Sequence, residues 1–208
     1  VRVSLLILFI CLQQGFFCKE AKALVELTTT FYYRQQYGGA NQEISSLDRI
    51  YTASLAVYLF SLTGIELSLS QERKEVISHT VTPISGTTFR INKMEQYQTN
   101  YIASAGIRQL LLPREFSFRP SLSAGYAQKT VRSYSNYYLE ETLTLQNLFI
   151  AGEVKEIIIP SSFLSLLLQW KLTAGISLSG VVKSIVPGLE WDKWKNDLTY
   201  QVGLSFGF

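Results

Sequence analysis

The chain has 208 residues, 47% of them hydrophobic and 17% charged, a balance that excludes disorder and makes one domain the natural expectation. No apolar run is long enough for a helix to cross a membrane, which needs about 18 residues or more. A formal net charge of +3 gives no reason to expect nucleic acid as a partner.

The first residues read as a leader. Arg2 precedes the apolar block Val3–Leu12, and Ala21-Lys22-Ala23 supplies a small-residue cleavage site, the layout of a secretory signal peptide. Cleavage is expected after Ala23, with residues 1–23 removed and residues 24–208 forming a single domain. Removal takes Arg2, Lys19, Lys22 and Glu20, leaving a net charge of +1. Cys11 and Cys18 both lie in the leader, so the mature chain is expected to have neither disulfide nor thiol chemistry. Ile10 and Phe17 stand where a lipid-modified cysteine needs a small neighbour, which argues against lipidation.

From there the chain alternates with the period of two that marks strands exposed to unlike surroundings on their two faces. The first strand runs from Val25 to Arg34, with Val25, Leu27, Phe31 and Tyr33 on one face and Glu26, Thr28, Thr30 and Arg34 on the other. Gly38-Gly39-Ala40-Asn41-Gln42 breaks it as a loop. The second strand covers Ile50 to Phe60, and a tight turn at Leu62-Thr63-Gly64 leads to the third, Ile65 to Ser70. Its continuation to Thr82 is more polar and ends in the turn signal Pro83-Ile84-Ser85-Gly86. Strand four returns from Thr87 to Leu111, and Leu112–Glu115 is the next short turn. Strand five runs from Phe116 to Tyr126, with Pro120 removing one ladder bond. Residues 128–161 form the longest insertion and give no pattern of their own. Strands six and seven are Phe163–Lys171 and Ile176–Val182, joined by a turn at Leu172–Gly175, and a loop around Pro187–Trp191 precedes the last. The stretches Ser61–Ser68 and Lys171–Ser179 look alike, as one hairpin solution used twice would.

The last strand is the most regular. In Leu198–Phe208 the even positions are large and mostly apolar, including Tyr200, Val202, Leu204, Phe206 and Phe208, while Thr199, Gln201, Gly203, Ser205 and Gly207 occupy the odd ones. This resembles the closing strand of bacterial outer-membrane β-barrels of the OmpA/OmpX type, which end in Phe with an aromatic two positions earlier. The resemblance implies that these five outward residues are a signal read by the barrel-assembly machinery. It covers the whole mature chain as architecture. The expected fold is therefore all-β: an eight-stranded antiparallel up-and-down transmembrane barrel. Ten strands result if Thr142–Phe149 and Glu153–Ile159 enter the membrane as an extra hairpin, against which the charges of Glu153, Lys155 and Glu156 speak.

Loop lengths agree with that expectation. Short turns near 62–64, 112–115 and 172–175 alternate with longer loops near 35–48, 71–96, 128–161 and 184–197, the asymmetry of short periplasmic turns and long extracellular loops. Both termini then fall on the periplasmic side. Counting eight positions from the short-turn end reaches Tyr33, Tyr51, Tyr101, Tyr126 and Tyr200 on the outward face. Eight residues at ~3.3 Å, tilted by roughly 45°, rise about 19 Å, so these tyrosines predict an aromatic ring at the upper interface. Phe118, Trp170, Phe206 and Phe208 predict its lower counterpart. A soluble eight-stranded cup such as a lipocalin needs an apolar lining, and the inward positions here are Ser, Thr, Gly, Gln and charges.

The inward charges are Glu26, Glu66, Arg108, Arg119 and Lys171, all near the short-turn end and expected at one depth. Pairing about the Leu112–Glu115 turn would set Arg108 opposite Arg119, with Glu66 as the carboxylate between them. An eight-stranded barrel is just wide enough for side chains to fill. Two readings follow: a hydrogen-bonded plug, or a gate that opens a narrow channel for small solutes. Some small outer-membrane barrels are lipid A-modifying enzymes that use a His with a Ser, but Ser78 and His79 are adjacent in a predicted strand and point opposite ways. No catalytic, metal or cofactor motif appears. The expected partners are outer-membrane lipid, lipopolysaccharide, the assembly machinery and an external protein met through the loops. Lys129, Arg132, Tyr134, Tyr137 and Tyr138 suit either lipopolysaccharide or an external protein.

Overall fold

A computed structural model describes residues 24–39, 41–188 and 198–208. The leader and its cleavage site, and most of the loop before the last strand, lie outside the described residues. All regular structure among the described residues is strand: β1 (Leu24–Gly38), β2 (Ile44–Tyr58), β3 (Thr63–Ser78), β4 (Thr82–Pro83), β5 (Phe89–Leu110), β6 (Phe118–Glu141), β7 (Asn147–Ala151), β8 (Lys155–Lys171), β9 (Ile176–Pro187) and β10 (Leu198–Gly207).

Eight of these close on themselves in the order β5-β3-β2-β1-β10-β9-β8-β6 and back to β5, every neighbour antiparallel. The expected all-β eight-stranded barrel is borne out. The short β4 and β7 pair only with the outlying ends of β5 and β6. Closure is completed where Val25 and Phe208 exchange two backbone hydrogen bonds, of 3.3 and 2.9 Å. Stepping from Phe208 to its partners Val25, Val57, Ile65, Ile107, Ala124, Leu164 and Ser184 returns the path to β10 at Leu198, about ten residues from the start. Ten residues at ~3.3 Å against eight strands at ~4.8 Å tilt the strands by roughly 40°.

The extra hairpin does not exist. β7 and β8 are successive pieces of one descending chain, and both pair with β6. Gly152 marks the break, its N–H donating to the Ser135 carbonyl at 2.8 Å. Residues 128–141, unread in the sequence, simply continue β6. β2, β3 and β6 run several residues beyond the predicted strands, because polar residues such as Gln71–Glu75 keep the alternation while losing the apolar signal, whereas β5 falls within the predicted Thr87–Leu111. The two look-alike turns share a bond pattern: Leu59 and Phe60 donate to Thr63, and Leu172 and Thr173 donate to Ile176. The matching letters nevertheless sit at different positions of those turns.

Gly106 and Gly125 are direct partners across β5 and β6. A Cβ at Gly106 would meet the Ala124 carbonyl at 2.4 Å and the Phe163 ring at 2.7 Å. The pair opens the room in the lumen that Phe163 fills. Gly106→Val is expected to leave less than about a tenth of the chain folded, read by heat-modifiable gel migration, because overpacking here strikes backbone that cannot yield. Gly180, with nothing within 4 Å of its notional Cβ, should accept Val with unchanged migration.

Candidate functional site

Alternation along tilted strands puts one set of side chains inside the barrel, and that set is polar. Among the described residues, 22 buried side chains are polar or charged and 12 are hydrophobic, while Leu, Ile, Phe and Tyr dominate the outer face. A water-soluble domain distributes these the other way.

Arg108 organises the lower lumen. Its Nε donates to Glu66 at 3.0 Å, its Nη1 to Glu26 at 2.8 Å and its Nη2 to the Ser54 hydroxyl at 3.4 Å. A second contact from Nη2 to Glu66 at 2.9 Å makes that pairing bidentate. Arg108 and Glu26 are each only 2% exposed. Beneath them Tyr58, Leu62, Leu110 and Ala56 close the floor, and the guanidinium of Arg114 lies 4.3 Å from the centre of the Tyr58 ring.

Lys183 holds the next level up. Its ammonium donates to Ser68 at 3.0 Å and Ser104 at 3.4 Å and sits 5.0 Å from the Phe163 ring. Phe163 in turn packs with Ile102, Ala127 and Ile185. Hydroxyls bridge the remaining inner positions, as in Thr28 to Ser205 at 2.8 Å, Thr30 to Gln201 at 2.6 Å and Ser68 to Ser104 at 2.5 Å. The mouth above is a cavity of about 400 Å³ whose lining includes Arg34, Asp48, Glu72, Lys74 and Lys129.

The structure thus brings Glu26, Glu66 and Arg108 together and leaves two expected members apart. Arg108 pairs across the sheet with Ser123, not Arg119, because the β5–β6 connection spans residues 111–117 and the ladder resumes with Leu111 donating to Pro120 at 2.9 Å. Arg119 is half-buried lower down and donates to Ser177 at 2.8 Å. Lys171 is exposed at the rim. Lys183 was missed although its signal was present: the odd positions Ser177 and Ser179 face inward, and continuing that alternation four residues reaches it. His79 is exposed, and the Ser78 hydroxyl donates to Thr80 at 3.1 Å.

On the outside, Tyr33, Tyr51, Tyr101, Tyr126 and Tyr200 are all 46–60% exposed. The ten-residue stagger lifts each cross-strand row by roughly 1.25 residues per strand, and with that allowance the five fall within about three residues of one height. Phe118, Trp170, Phe206 and Phe208 lie about eight residues lower, or roughly 20 Å along the axis. Tyr200, Val202, Leu204 and Phe208 are outward and exposed, and Phe206 is half-buried among them.

Above the tyrosines β3, β5 and β6 carry on as a sheet, bordered by β4 and β7. Tyr97 stacks on Tyr134 at 4.9 Å, and Tyr138 meets Phe149 at 5.1 Å. Lys93 pairs with Glu95 at 2.7 Å, and Arg90 with Glu140 at 2.9 Å. β7 is exposed throughout, and Leu148, Phe149 and Ile150 sit on it.

Arg108→Ala should destabilise the barrel by about 3–5 kcal/mol in urea unfolding, because it leaves two buried carboxylates without their cation. Arg119→Ala should cost much less. In the projecting sheet, the Lys93 hydrogen bond holds the Glu95 carboxyl below its ordinary range, and Asn92 with Arg90 does so for Glu140. A depressed carboxyl contributes stability above its unfolded pKa of about 4.3 and loses it as pH falls through the folded value. Protection factors of the amides at residues 90–95 and 136–140, measured against intrinsic exchange, should therefore be steady from neutral pH to about 5 and fall below about 4.

No protein-family model matches the sequence, and no curated protein matches it. Among solved structures the chain is similar to the N-terminal β-barrel domain of Pseudomonas aeruginosa OprF, at 12% identity over 89% of this chain and 97% of that one, with a TM-score of 0.48. It is similar to Ail, the attachment invasion locus protein of Yersinia pestis, at 11% identity over 90% and 100%, with a TM-score of 0.48. Neisserial surface protein A gives 11% identity over 90% and 97%, with a TM-score of 0.31. Likeness at these levels concerns strand architecture alone. The closed, staggered sheet of this chain itself has the architecture of the small outer-membrane β-barrels that its terminal strand resembles.

Proposed function

We propose that the chain is an integral outer-membrane barrel with both termini in the periplasm, a plugged lumen, and a role in surface contact or envelope integrity exerted through its projecting sheet. The inverted polarity carries this reading: a buried interior of Ser, Thr, Gln and paired charges inside an apolar wall suits lipid outside and a narrow polar core inside. The paired aromatic levels, about 20 Å apart, support it, since amphipathic rings favour the two headgroup zones. Residues 59–62, 111–117 and 172–175 are the short connections, at the end where β1 begins and β10 finishes, which supports periplasmic termini. The outward row Tyr200, Val202, Leu204, Phe206 and Phe208 supports recognition by the barrel-assembly machinery, and the apolar band supports contact with lipid and lipopolysaccharide. β7, with Leu148, Phe149 and Ile150 exposed on an edge strand, supports an external protein as partner. The role requires no covalent chemistry.

A second reading, a narrow channel for small solutes, has one observation in its favour. The Ser121 hydroxyl and both amide atoms of Gln169 are buried without a hydrogen-bond partner among the described residues, and such groups are satisfied by water. The deciding experiment is reconstitution of the mature protein in planar bilayers, with heat-modifiable migration run beside it. The expected outcome is a heat-shifted band and no steady current. Discrete openings that enlarge or vanish in Arg108→Ala would put the channel first. A band unmoved by heat, with no insertion, would sink the barrel-in-membrane reading.

A further inference from the structure

The outer face carries a polar feature at the rim, beside the mouth cavity that Arg49 and Arg73 also line. One cross-strand row runs Tyr33, Arg49, Arg73, Thr99, Arg132 and Glu156 through β1, β2, β3, β5, β6 and β8. All six share the parity of the outward tyrosines, so all belong to the outer face. Arg49 is the direct partner of Arg73. Opposed side chains of a ladder stand about 5 Å apart at Cβ, and like charges so placed repel. Arg132 is neutralised by Glu156 at 2.6 Å, and Arg73 shares Glu75 at 2.8 Å. Arg49 has no ion pair or hydrogen-bond partner for its side chain among the described residues. Two guanidinium groups with one carboxylate between them leave a positive charge to satisfy, and their planar forks match phosphate oxygens.

What lies beneath the arginines is equally specific. With strand tilt allowed for, Arg49 and Arg73 stand about two residues above the tyrosine ring. Immediately below them a groove of about 990 Å³ is walled by Phe31, Tyr51 and Tyr101. It adjoins a second of about 580 Å³, walled lower down by Leu55 and Leu67. The two share Ala53, Leu69 and Ala103, and the small side chains of the two alanines flank Leu69 with lower ground on either side.

We propose that this is a lipid site: Arg49 and Arg73 hold the phosphate of an outer-leaflet lipid, and its acyl chains descend into the grooves that join at Ala53 and Ala103. The order along the barrel is cations, then aromatic rings, then an apolar slot, which is the order of parts in such a molecule. A free anion would use the arginines without the slot, and a neutral lipid would use the slot without the arginines. The site rests on the membrane reading above.

The test uses the folded mature protein in detergent micelles, offered diphosphoryl lipid A or its dephosphorylated counterpart at the same low ratio, with bound lipid counted by native mass spectrometry. The wild type should retain the phosphorylated lipid, and Arg49→Gln with Arg73→Gln should retain at least tenfold less. Ala53→Phe with Ala103→Phe, which fills the slot and leaves the charge alone, should retain several-fold less. Each variant is first shown to be folded by its heat-shifted band. Equal retention by the arginine double variant, equal retention of the dephosphorylated lipid, or displacement by millimolar inorganic phosphate would overturn the site. A wild type that shifts on heating and inserts, yet shows no such selectivity, loses only the lipid site. One that neither shifts nor inserts loses the membrane reading with it.

Discussion

Closure of the sheet is the constraint on which the rest depends. Backbone N–H and C=O groups left open in an apolar surround cost several kcal/mol each, and only a sheet without edges answers for all of them. Closure of eight strands admits few geometries. With a stagger near ten residues the strands tilt by roughly 40°, and the backbone cylinder then has a radius of about 8 Å. Such an interior holds side chains and little else. The paired Gly106 and Gly125 show how tight it is: one aromatic ring, Phe163, finds room only because two facing residues have no Cβ.

A lumen of that width forces its charges into one network. Glu26 and Glu66 are balanced by Arg108 and Lys183, and no other charged side chain of the central lumen is buried among the described residues. The two cations are held differently. Arg108 meets both carboxylates through its rigid fork, whereas Lys183 relies on two serine hydroxyls and the face of Phe163. Removing Arg108 uncovers two acids at once. Lys183 makes no ion pair among the described residues, so its removal leaves neutral hydroxyls that can turn to each other. The lower level is accordingly the more tightly bonded one.

Much of this was legible in the sequence because a period of two is visible whenever the two faces differ in polarity. β10, β3 and the lower part of β1 announce themselves that way, and the inward positions of Glu26, Glu66 and Arg108 follow. Register was not legible. Arg108 and Arg119 are equally distant from Leu112–Glu115, but the ladder resumes around residues 111–117, and a shift of that size moves Arg119 below the network. Nor were strand ends. Where both faces meet water, as in Lys129–Glu141, the alternation of polarity fades although the ladder continues. Lys183 was lost for a related reason: Val181 and Val182 interrupt the contrast just before it.

The same fading of contrast locates the edge of the lipid in the membrane reading. Outward side chains are mostly apolar or aromatic and uncharged up to the row of Phe31, Tyr51, Gln71 and Tyr101, and full charges enter at the next outward row with Arg49, Arg73, Arg132 and Glu156. Two residues along β2, about 6.6 Å, therefore separate the ring of Tyr51 from the charge of Arg49. Above that step both faces are wet, inner and outer positions lose their distinction, and β5 and β6 persist by paired tyrosines and surface ion pairs instead of by burial. Two arginines facing each other at the boundary add repulsion that a sheet in water alone would have no cause to retain. Their position makes sense where the neighbouring medium is itself anionic, so the row that ends the apolar band is also the row best placed to bind it.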